Sequence, residues 1–207
     1  MTARSEPLRV GVLASGRGSN LQALLDAAAV PEFPARVVVV MSDRERAEAL
    51  ERAAAAHVER VFLDPKAYGD RLAYDEALLA CLERHRVELV CLAGFMRILS
   101  PAFVRYLHGR LVNIHPSLLP AFPGLHAQQQ ALEHGAKVAG VTVHFVDEGV
   151  DTGPIIAQAA VPVRDDDTEA SLSARILVEE HRLYPQVVRL FAERRLGLVG
   201  RRVVITR

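Results

Sequence analysis

Short apolar runs rich in β-branched residues recur along the first half of the chain, and amphipathic segments separate them. The run at 35–41 contains four consecutive valines, which indicates a strand buried on both faces, as in a parallel sheet. Strands are predicted at residues 8–14, 35–41, 58–63, 87–93 and 111–114. Helices are predicted from Ser19, over 45–56, over 69–84 and from Ser100. This alternation predicts a doubly wound α/β fold with a mostly parallel sheet.

The second half of the chain follows a different pattern. Three prolines between residues 116 and 123 indicate a loop, and a short helix is predicted at 128–133. The remaining predicted elements are adjacent strands at 141–146 and 155–163, a long helix from Asp167 or Thr168 to about Arg195, ended by Gly197, and an edge strand at 203–206. We therefore expect one domain over residues 1–207, with an antiparallel C-terminal extension and a long final helix.

Composition narrows the class of protein. Half of the 207 residues are hydrophobic, and 25 basic residues balance 25 acidic ones. A zero net charge argues against a dedicated nucleic-acid binder, which usually carries a basic excess. No apolar run approaches the ~20 residues that span a bilayer. Cys81 and Cys91 build no disulfide framework, and the first residues lack the apolar stretch of a signal peptide. We expect a cytoplasmic protein that binds neither nucleic acid nor membrane.

The first candidate site is the Gly-rich segment 15–20, between the first strand and the first helix. Its glycines let backbone N–H groups approach an anion, and a helix N-terminus adds partial positive charge. The segment is therefore a candidate phosphate cradle, and equally a plain strand-to-helix turn. Leu21 stands where the dinucleotide fingerprint needs a third glycine, which argues against a NAD-binding module. In favour of such a module, Asp43 follows the second strand, where a ribose-binding acid would lie.

The second candidate site is the pair Asn113 and His115 at the end of the fifth strand. A spacing of two residues places both side chains on one face of the strand. The carboxyl ends of strands are where open α/β sheets bind ligands. An amide N–H beside an imidazolium can stabilise an oxyanion during acyl transfer. The alternative is that both side chains only hydrogen-bond the proline-containing loop.

An acidic segment at 147–154 and a group of histidines complete the candidates. Alone, this segment is more typical of a solvated turn. The functional alternative is a carboxylate that holds His115 charged, and the residues alone do not choose among Asp147, Glu148 and Asp151. Four histidines lie between residues 115 and 144, yet they lack the spacing of zinc motifs. We therefore expect no metal.

Five segments together resemble the phosphoribosylglycinamide formyltransferase family. They are residues 15–20, 92–103, 113–120, 123–126 and 143–154. The resemblance covers about residues 8–195 and implies a Rossmann-like formyltransferase fold. Its phosphate-binding half would span about 8–110, and its catalytic and folate-binding half about 111–195. We expect small-molecule substrates and a monomer or homodimer.

The resemblance also implies a reaction and a set of residue roles. The expected reaction moves a formyl group from 10-formyltetrahydrofolate, a co-substrate, to the amine of 5′-phosphoribosylglycinamide in purine biosynthesis. The implied catalytic residues are His115, Asn113 and Asp151. The implied substrate-binding residues are Gly18, Ser19, Asn20 and Glu180. The implied folate-binding residues are Arg71, Met96, Arg97, Ile98, Leu99 and Asn113.

Two other enzymes share the Asn-x-His-Pro-Ser-Leu-Leu-Pro block. Methionyl-tRNA formyltransferase would need an RNA-binding domain and a basic surface. Formyltetrahydrofolate hydrolase would carry an N-terminal regulatory domain. Neither enzyme is favoured, because the net charge is zero, about 90 residues follow His115 and the first strand begins near residue 8.

Overall fold

Seven strands form one sheet in the computed structural model of the chain, which describes residues 6–206. The first five are β1 (Leu8–Leu13), β2 (Ala35–Ser42), β3 (Glu59–Phe62), β4 (Leu89–Leu92) and β5 (Leu111–His115). They are mutually parallel and lie in the order β3-β2-β1-β4-β5. β6 (Val138–Phe145) and β7 (Ile155–Pro162) extend the sheet as antiparallel strands beyond β5. The predicted α/β fold, with its mostly parallel sheet and antiparallel extension, is confirmed.

Six α-helices connect or flank these strands. They are α1 (Ser19–Ala28), α2 (Glu48–Ala55), α3 (Arg71–Arg84), α4 (Pro101–Tyr106), α5 (Ala127–Glu133) and α6 (Glu169–Ala192). Three begin at side-chain caps, because Asp70, Ser100 and Thr168 each accept a hydrogen bond from a backbone N–H of the first turn. The sequence offers Asp167 and Thr168 as caps of the final helix, and Thr168 is the one that caps it. In residues 6–206, no helix combines the length and apolar character needed to cross a membrane.

The sheet is buried on both faces, as the run of valines predicts. Val40 belongs to a core cluster on one face, whereas Val39 and Met41 belong to a cluster on the other face. All three side chains are fully buried. Each such burial is worth roughly 1.5–3 kcal/mol, so the alternation along β2 fixes both helical layers against one sheet.

The end of the chain differs from its prediction. α6 ends at Ala192 rather than near Arg195. The left-handed residue that follows the helix is Arg194 (φ 57°), whereas the sequence predicts Gly197 in that role. The N–H groups of Arg194 and Arg195 donate to the carbonyls of Phe191 and Leu190, which closes the helix as a Schellman motif. Gly197 therefore does not end the helix.

Gly197 lies instead in a strand that the sequence analysis did not predict. This strand, β8 (Leu196–Val199), pairs with β9 (Arg202–Ile205) as a separate antiparallel hairpin. The strand predicted at 203–206 is present as β9, but its backbone groups pair with β8 and not with the edge of the seven-stranded sheet. Elsewhere the predicted bounds are shifted by a few residues: α2 begins at Glu48 and β6 at Val138.

The connectivity places a ligand crevice between β1 and β4. From β1 the chain moves to β2 and β3 on one side, then crosses to β4 and β5 on the other. Such a reversal of strand order leaves an opening at the carboxyl ends of the two central strands. The loop after β1, the loop after β4 and the end of β5 all emerge at this edge.

Candidate active site

Gly18 shapes the N-terminus of α1. It is the N-cap residue, with a left-handed backbone (φ 69°), and a Cβ atom there would lie 2.8 Å from Cα of Ala49 in α2. Only glycine satisfies both conditions without strain. No side chain caps α1, so the first N–H groups of this ten-residue helix remain available to an anion. The local geometry is that of a phosphate cradle.

Asn20 and Glu180 meet beside this cradle. The Nδ2 atom of Asn20 donates to Oε2 of Glu180 at 2.6 Å, which joins α1 to α6. Burial raises the pKa of Glu180, and the hydrogen bond from Asn20 and the charge of Arg17 offset part of the rise. The other amide atom, Oδ1 of Asn20, is buried and has no partner among residues 6–206. A hydroxyl group of a ligand would satisfy this acceptor.

The loops after β1 and β4 are joined across the crevice by Ser15. Its backbone N–H donates to the carbonyl of Gly94 at 3.0 Å, and its Oγ accepts from the N–H of Met96 at 2.9 Å. Met96 is 58% exposed and Ile98 is 69% exposed, although both are apolar. The loop after β4 therefore offers apolar side chains at the mouth of the crevice.

Of the other candidate folate-binding residues, Arg71 and Arg97 lie on the surface and Leu99 lies in the core. The guanidinium of Arg97 lies over the ring of Tyr74, 5.0 Å from its centroid. Arg71 is the first residue of α3 and is exposed. Leu99 is buried in a core cluster with Phe103. The structure records no contact that joins Arg71 to the other candidate folate residues.

Asn113, His115 and Asp151 converge at the end of β5. The Nδ2 atom of Asn113 donates to Oδ1 of Asp151 at 3.3 Å. The Nδ1 atom of His115 lies 3.3 Å from Oδ2 of the same carboxylate. Of the three acidic candidates in the loop, Asp151 is thus the one that reaches His115.

Both ring nitrogens of His115 face oxygen atoms. Nε2 lies 2.9 Å from the carbonyl of Phe122, and Nδ1 faces Asp151. A neutral imidazole has a single N–H, whereas an imidazolium donates from both nitrogens. Two oxygen acceptors thus flank the ring of His115, whose side chain is nearly buried.

The carboxylate of Asp151 is held in its ionised form. Burial acts to raise the pKa of Asp151, but nearby His144 (Nε2 3.7 Å from Oδ1), the N–H of Gly124 and the charge of His115 outweigh burial. The pKa therefore lies below its ordinary value. The Gly124 N–H contributes a short contact, 2.8 Å to Oδ2. An ionised carboxylate therefore lies next to His115 before any reaction begins.

The carbonyl of Phe122 is placed by hydrogen bonds of the proline-containing loop (residues 116–126). Thr142 of β6 donates to the carbonyl of Ser117 at 2.7 Å and accepts from the N–H of Leu119 at 3.0 Å. The hydroxyl of Ser117 donates to the carbonyl of Ala121 at 2.6 Å. These contacts fix the loop against the sheet. The carbonyl of Phe122 is thereby held next to Nε2 of His115.

His144 is a site residue that the sequence analysis did not identify. It lies directly opposite Asn113 in the antiparallel pairing of β5 and β6. Its Nε2 atom is 3.3 Å from Nδ2 of Asn113 and 3.7 Å from Oδ1 of Asp151. The signal was present as a histidine within a predicted strand, but its partner depends on strand register, which no local pattern supplies.

The other histidines of the predicted group lie apart from this site. His126 is exposed at the start of α5, and His134 contacts Phe122 with 5.4 Å between ring centroids and 56° between the ring planes. Within residues 6–206, no three His, Cys, Asp or Glu side chains are grouped so as to hold a metal ion. The expectation of no metal stays a prediction.

The sequence of this chain matches a known protein family. A family model described as formyl transferase matches residues 8–188. The chain belongs to the formyl transferase family. The resemblance drawn from the five segments is thereby confirmed at the level of the family, as is the Rossmann-like formyltransferase fold.

Individual relatives of this formyl transferase match along nearly the whole chain. Phosphoribosylglycinamide formyltransferase of Escherichia coli strain K12 is 47% identical over 191 residues, 92% of this chain and 90% of that protein. The crystal structure of glycinamide ribonucleotide transformylase 1 from Symbiobacterium toebii is 56% identical, with a TM-score of 0.96, and the match covers 99% and 96% of the two chains. Trifunctional purine biosynthetic protein adenosine-3 of Drosophila melanogaster is 54% identical over 182 residues, but this chain spans only 14% of its length.

Proposed function

We propose that this formyl transferase moves the formyl group of 10-formyltetrahydrofolate to the amine of 5′-phosphoribosylglycinamide. The products would be formylglycinamide ribonucleotide and tetrahydrofolate. The observation that carries the proposal is the convergence of two donors, Nδ2 of Asn113 and Nδ1 of His115, on one carboxylate. Relatives named for this reaction support the choice of substrates.

The chemistry follows from the three side chains. When the amine attacks the formyl carbon, the formyl oxygen becomes negative. Asn113 and charged His115 would stabilise it once their N–H groups, which face Asp151 in the structure, turn to that oxygen. Removing one such donor typically costs 10²–10³-fold in rate. Asp151 keeps His115 charged and accepts, directly or through a water, the proton that the attacking nitrogen loses. The proton passes to the leaving nitrogen of the folate as the old C–N bond breaks, so the steps use side chains and substrate atoms alone.

The phosphorylated substrate would bind across α1 and α6. Its phosphate would meet the free N–H groups at Gly18, Ser19 and Asn20. Its ribose hydroxyls would donate to Oδ1 of Asn20 and to the carboxylate of Glu180. The phosphate is an acceptor and cannot satisfy Oδ1, so the two parts of the ligand have separate partners.

The folate would bind along the loop after β4. The exposed apolar side chains of Met96 and Ile98 offer surface to its rings, and Leu99 supports them from the core. Arg71 and Arg97 offer positive charge to its carboxylates. Asn113, on β5, would meet the formyl end.

One assay distinguishes the members of the family. The purified protein is given 10-formyltetrahydrofolate with 5′-phosphoribosylglycinamide, with methionyl-tRNA, or with no acceptor, and tetrahydrofolate release is followed. We expect turnover with 5′-phosphoribosylglycinamide alone. Equal turnover without an acceptor would indicate a hydrolase, and turnover with methionyl-tRNA would indicate the tRNA-modifying enzyme.

A further inference from the structure

The hairpin of β8 and β9 lies against the loop that carries Asp151. The two strands pair with each other rather than with the main sheet, and β9 packs beside β7. Arg201, Arg202 and Val203 of the hairpin line a cleft of about 420 Å³ whose other wall includes residues 151–155. The hairpin is therefore a neighbour of the catalytic loop, although none of the sequence motifs falls in it.

Arg201 connects the two segments at the turn of the hairpin. Its Nη2 atom donates to the carbonyl of Thr152 at 2.5 Å, and its Nη1 atom lies 3.9 Å from Oδ2 of Asp147. Thr152 directly follows Asp151 in the chain. A single guanidinium thus holds the backbone next to the catalytic carboxylate and the carboxylate at the start of the loop.

The loop itself is tightly folded. Oδ1 of Asp147 accepts from the N–H of Gly149 at 3.1 Å and from the hydroxyl of Thr152 at 2.6 Å. A Cβ atom at Gly149 would lie 2.1 Å from Oγ1 of Thr152, so the loop closes on itself there. Because the loop is internally stiff, a contact at Thr152 governs where Asp151 lies.

We propose that Arg201 is a positioning residue for the reaction. By holding Thr152 and Asp147, it fixes the loop so that the carboxylate of Asp151 stays on His115 and Asn113. Arg201 touches no reacting atom, and its contribution to the reaction rests on the proposed function. The C-terminal hairpin is then part of the catalytic apparatus rather than a surface appendage.

The neighbouring arginine offers a matched control for the test. Arg202 lies in the same hairpin and makes no side-chain hydrogen bond or ion pair with residues 6–206. Arg201 and Arg202 are both exposed, so their truncation leaves no cavity in the core.

We expect Arg201→Ala to lower kcat about tenfold, which corresponds to the loss of one hydrogen bond from a charged group. The KM for 5′-phosphoribosylglycinamide should be unchanged, because its phosphate would bind at α1. Arg201→Lys should recover part of the loss, and Arg202→Ala should match the wild type.

A second measurement is independent of catalysis. Hydrogen exchange of the backbone amides at 148–153 should be faster in Arg201→Ala than in Arg202→Ala, with exchange of β4 and β5 unchanged. Equal exchange and equal kcat in the two alanine variants would overturn the positioning role. Failure of the wild type to transfer formyl groups would instead reject the proposed function, while the exchange comparison would still decide whether Arg201 fixes the loop.

Discussion

Asp151 is ionised because three neighbours compensate for its burial. His144, the N–H of Gly124 and the charge of His115 lower its pKa despite desolvation. Its Oδ2 atom faces Nδ1 of His115 at 3.3 Å, and the second nitrogen of that ring faces the carbonyl of Phe122. At the scale of single residues, the site is therefore a set of polar groups that hold one another in place.

Replacing Asp151 by Asn tests this mutual stabilisation. Without the carboxylate, Nδ1 of His115 loses its partner, and the proposed proton acceptor is also lost. We expect kcat to fall about 100-fold or more, and the ring ¹⁵N signals of His115 to shift because Nδ1 loses this contact.

The control for this variant is Glu148→Gln, which removes an acidic group from the same loop. Glu148 pairs with Arg105 at an exposed position, where ion pairs contribute little, so its loss should have a small effect. Unchanged ¹⁵N signals of His115 in Asp151→Asn would reject direct pairing, even if activity fell.

Glu180 gives a prediction about stability and pH. Burial raises its pKa, so the folded protein binds a proton there that the unfolded chain releases at lower pH. Stability contributed at this position therefore falls as pH rises from the ordinary carboxyl value through the raised pKa. Glu180→Gln should be more stable than the wild type at pH 8, and the difference should shrink at pH 5. Thermal unfolding of both proteins across this range measures it.

The same variant should bind 5′-phosphoribosylglycinamide about tenfold more weakly, because an ionised acceptor for the ribose is lost. Glu179→Gln is the matched control, since Glu179 is the adjacent residue of α6 and pairs with Arg182. A variant at Glu180 that loses stability equally at pH 5 and pH 8 would contradict the assigned ionisation.

The pattern of residues in the sequence predicted part of the candidate site. The spacing of Asn113 and His115 placed both on one face of a strand, which depends only on local geometry. The choice of Asp151 over Asp147 did not follow, because it depends on how a loop with a left-handed residue at Asp151 turns back onto β5. His144 needed the register of two antiparallel strands, which is a tertiary property.

At the scale of elements, the turn from β1 into α1 combines a fold requirement with the proposed phosphate site. Gly18 has a left-handed backbone and lies against Ala49, and the N–H of Ala49 donates to the carbonyl of Gly16 at 3.1 Å. α2 therefore packs directly on the cradle. A change in the cradle is expected to affect stability and phosphate affinity together.

Gly18→Ala should lower the free energy of unfolding by roughly 2–4 kcal/mol, from backbone strain plus overlap with α2. It should also weaken binding of 5′-phosphoribosylglycinamide and leave the affinity for folate nearly unchanged. Gly16→Ala is the control, because a Cβ atom at Gly16 has nothing within 4 Å. Urea denaturation and the two dissociation constants provide the measurement, and equal losses in both affinities would refute the assignment of this turn.

Element ends were the weakest part of the prediction. α6 stops at a left-handed Arg194, where composition favoured Gly197, because the Schellman hydrogen bonds compensate for the strain of a non-glycine residue. The short strand β8 was missed since its four residues gain order from pairing with β9. The buried strands were predicted well because an unbroken run of valines has few alternatives.

At the scale of the whole molecule, one sheet joins the half of the chain before about residue 110 to the half after it. β4 and β5 pair across the division near residue 110. The hydroxyl of Tyr184 in α6 donates to the carbonyls of Leu92 and Val112, one from each half. α6 also packs on α1, so the two halves share their core.

This shared core predicts one cooperative unfolding transition. Far-UV circular dichroism and tyrosine fluorescence should give coincident urea curves, and the chain, which has four tyrosines and no tryptophan, suits this comparison. Phosphate-bearing substrate should shift both curves together. Two separate transitions would show that the halves unfold independently.

The central claim is that Asn113 and His115 stabilise the oxyanion of formyl transfer. Its most direct test is the single-turnover rate of formyl transfer from 10-formyltetrahydrofolate to 5′-phosphoribosylglycinamide in Asn113→Ala and in His115→Gln, with both ligands saturating. Each variant should lose about 10²–10³-fold in that rate while still binding both ligands. A wild-type single-turnover rate in either variant would contradict the claim.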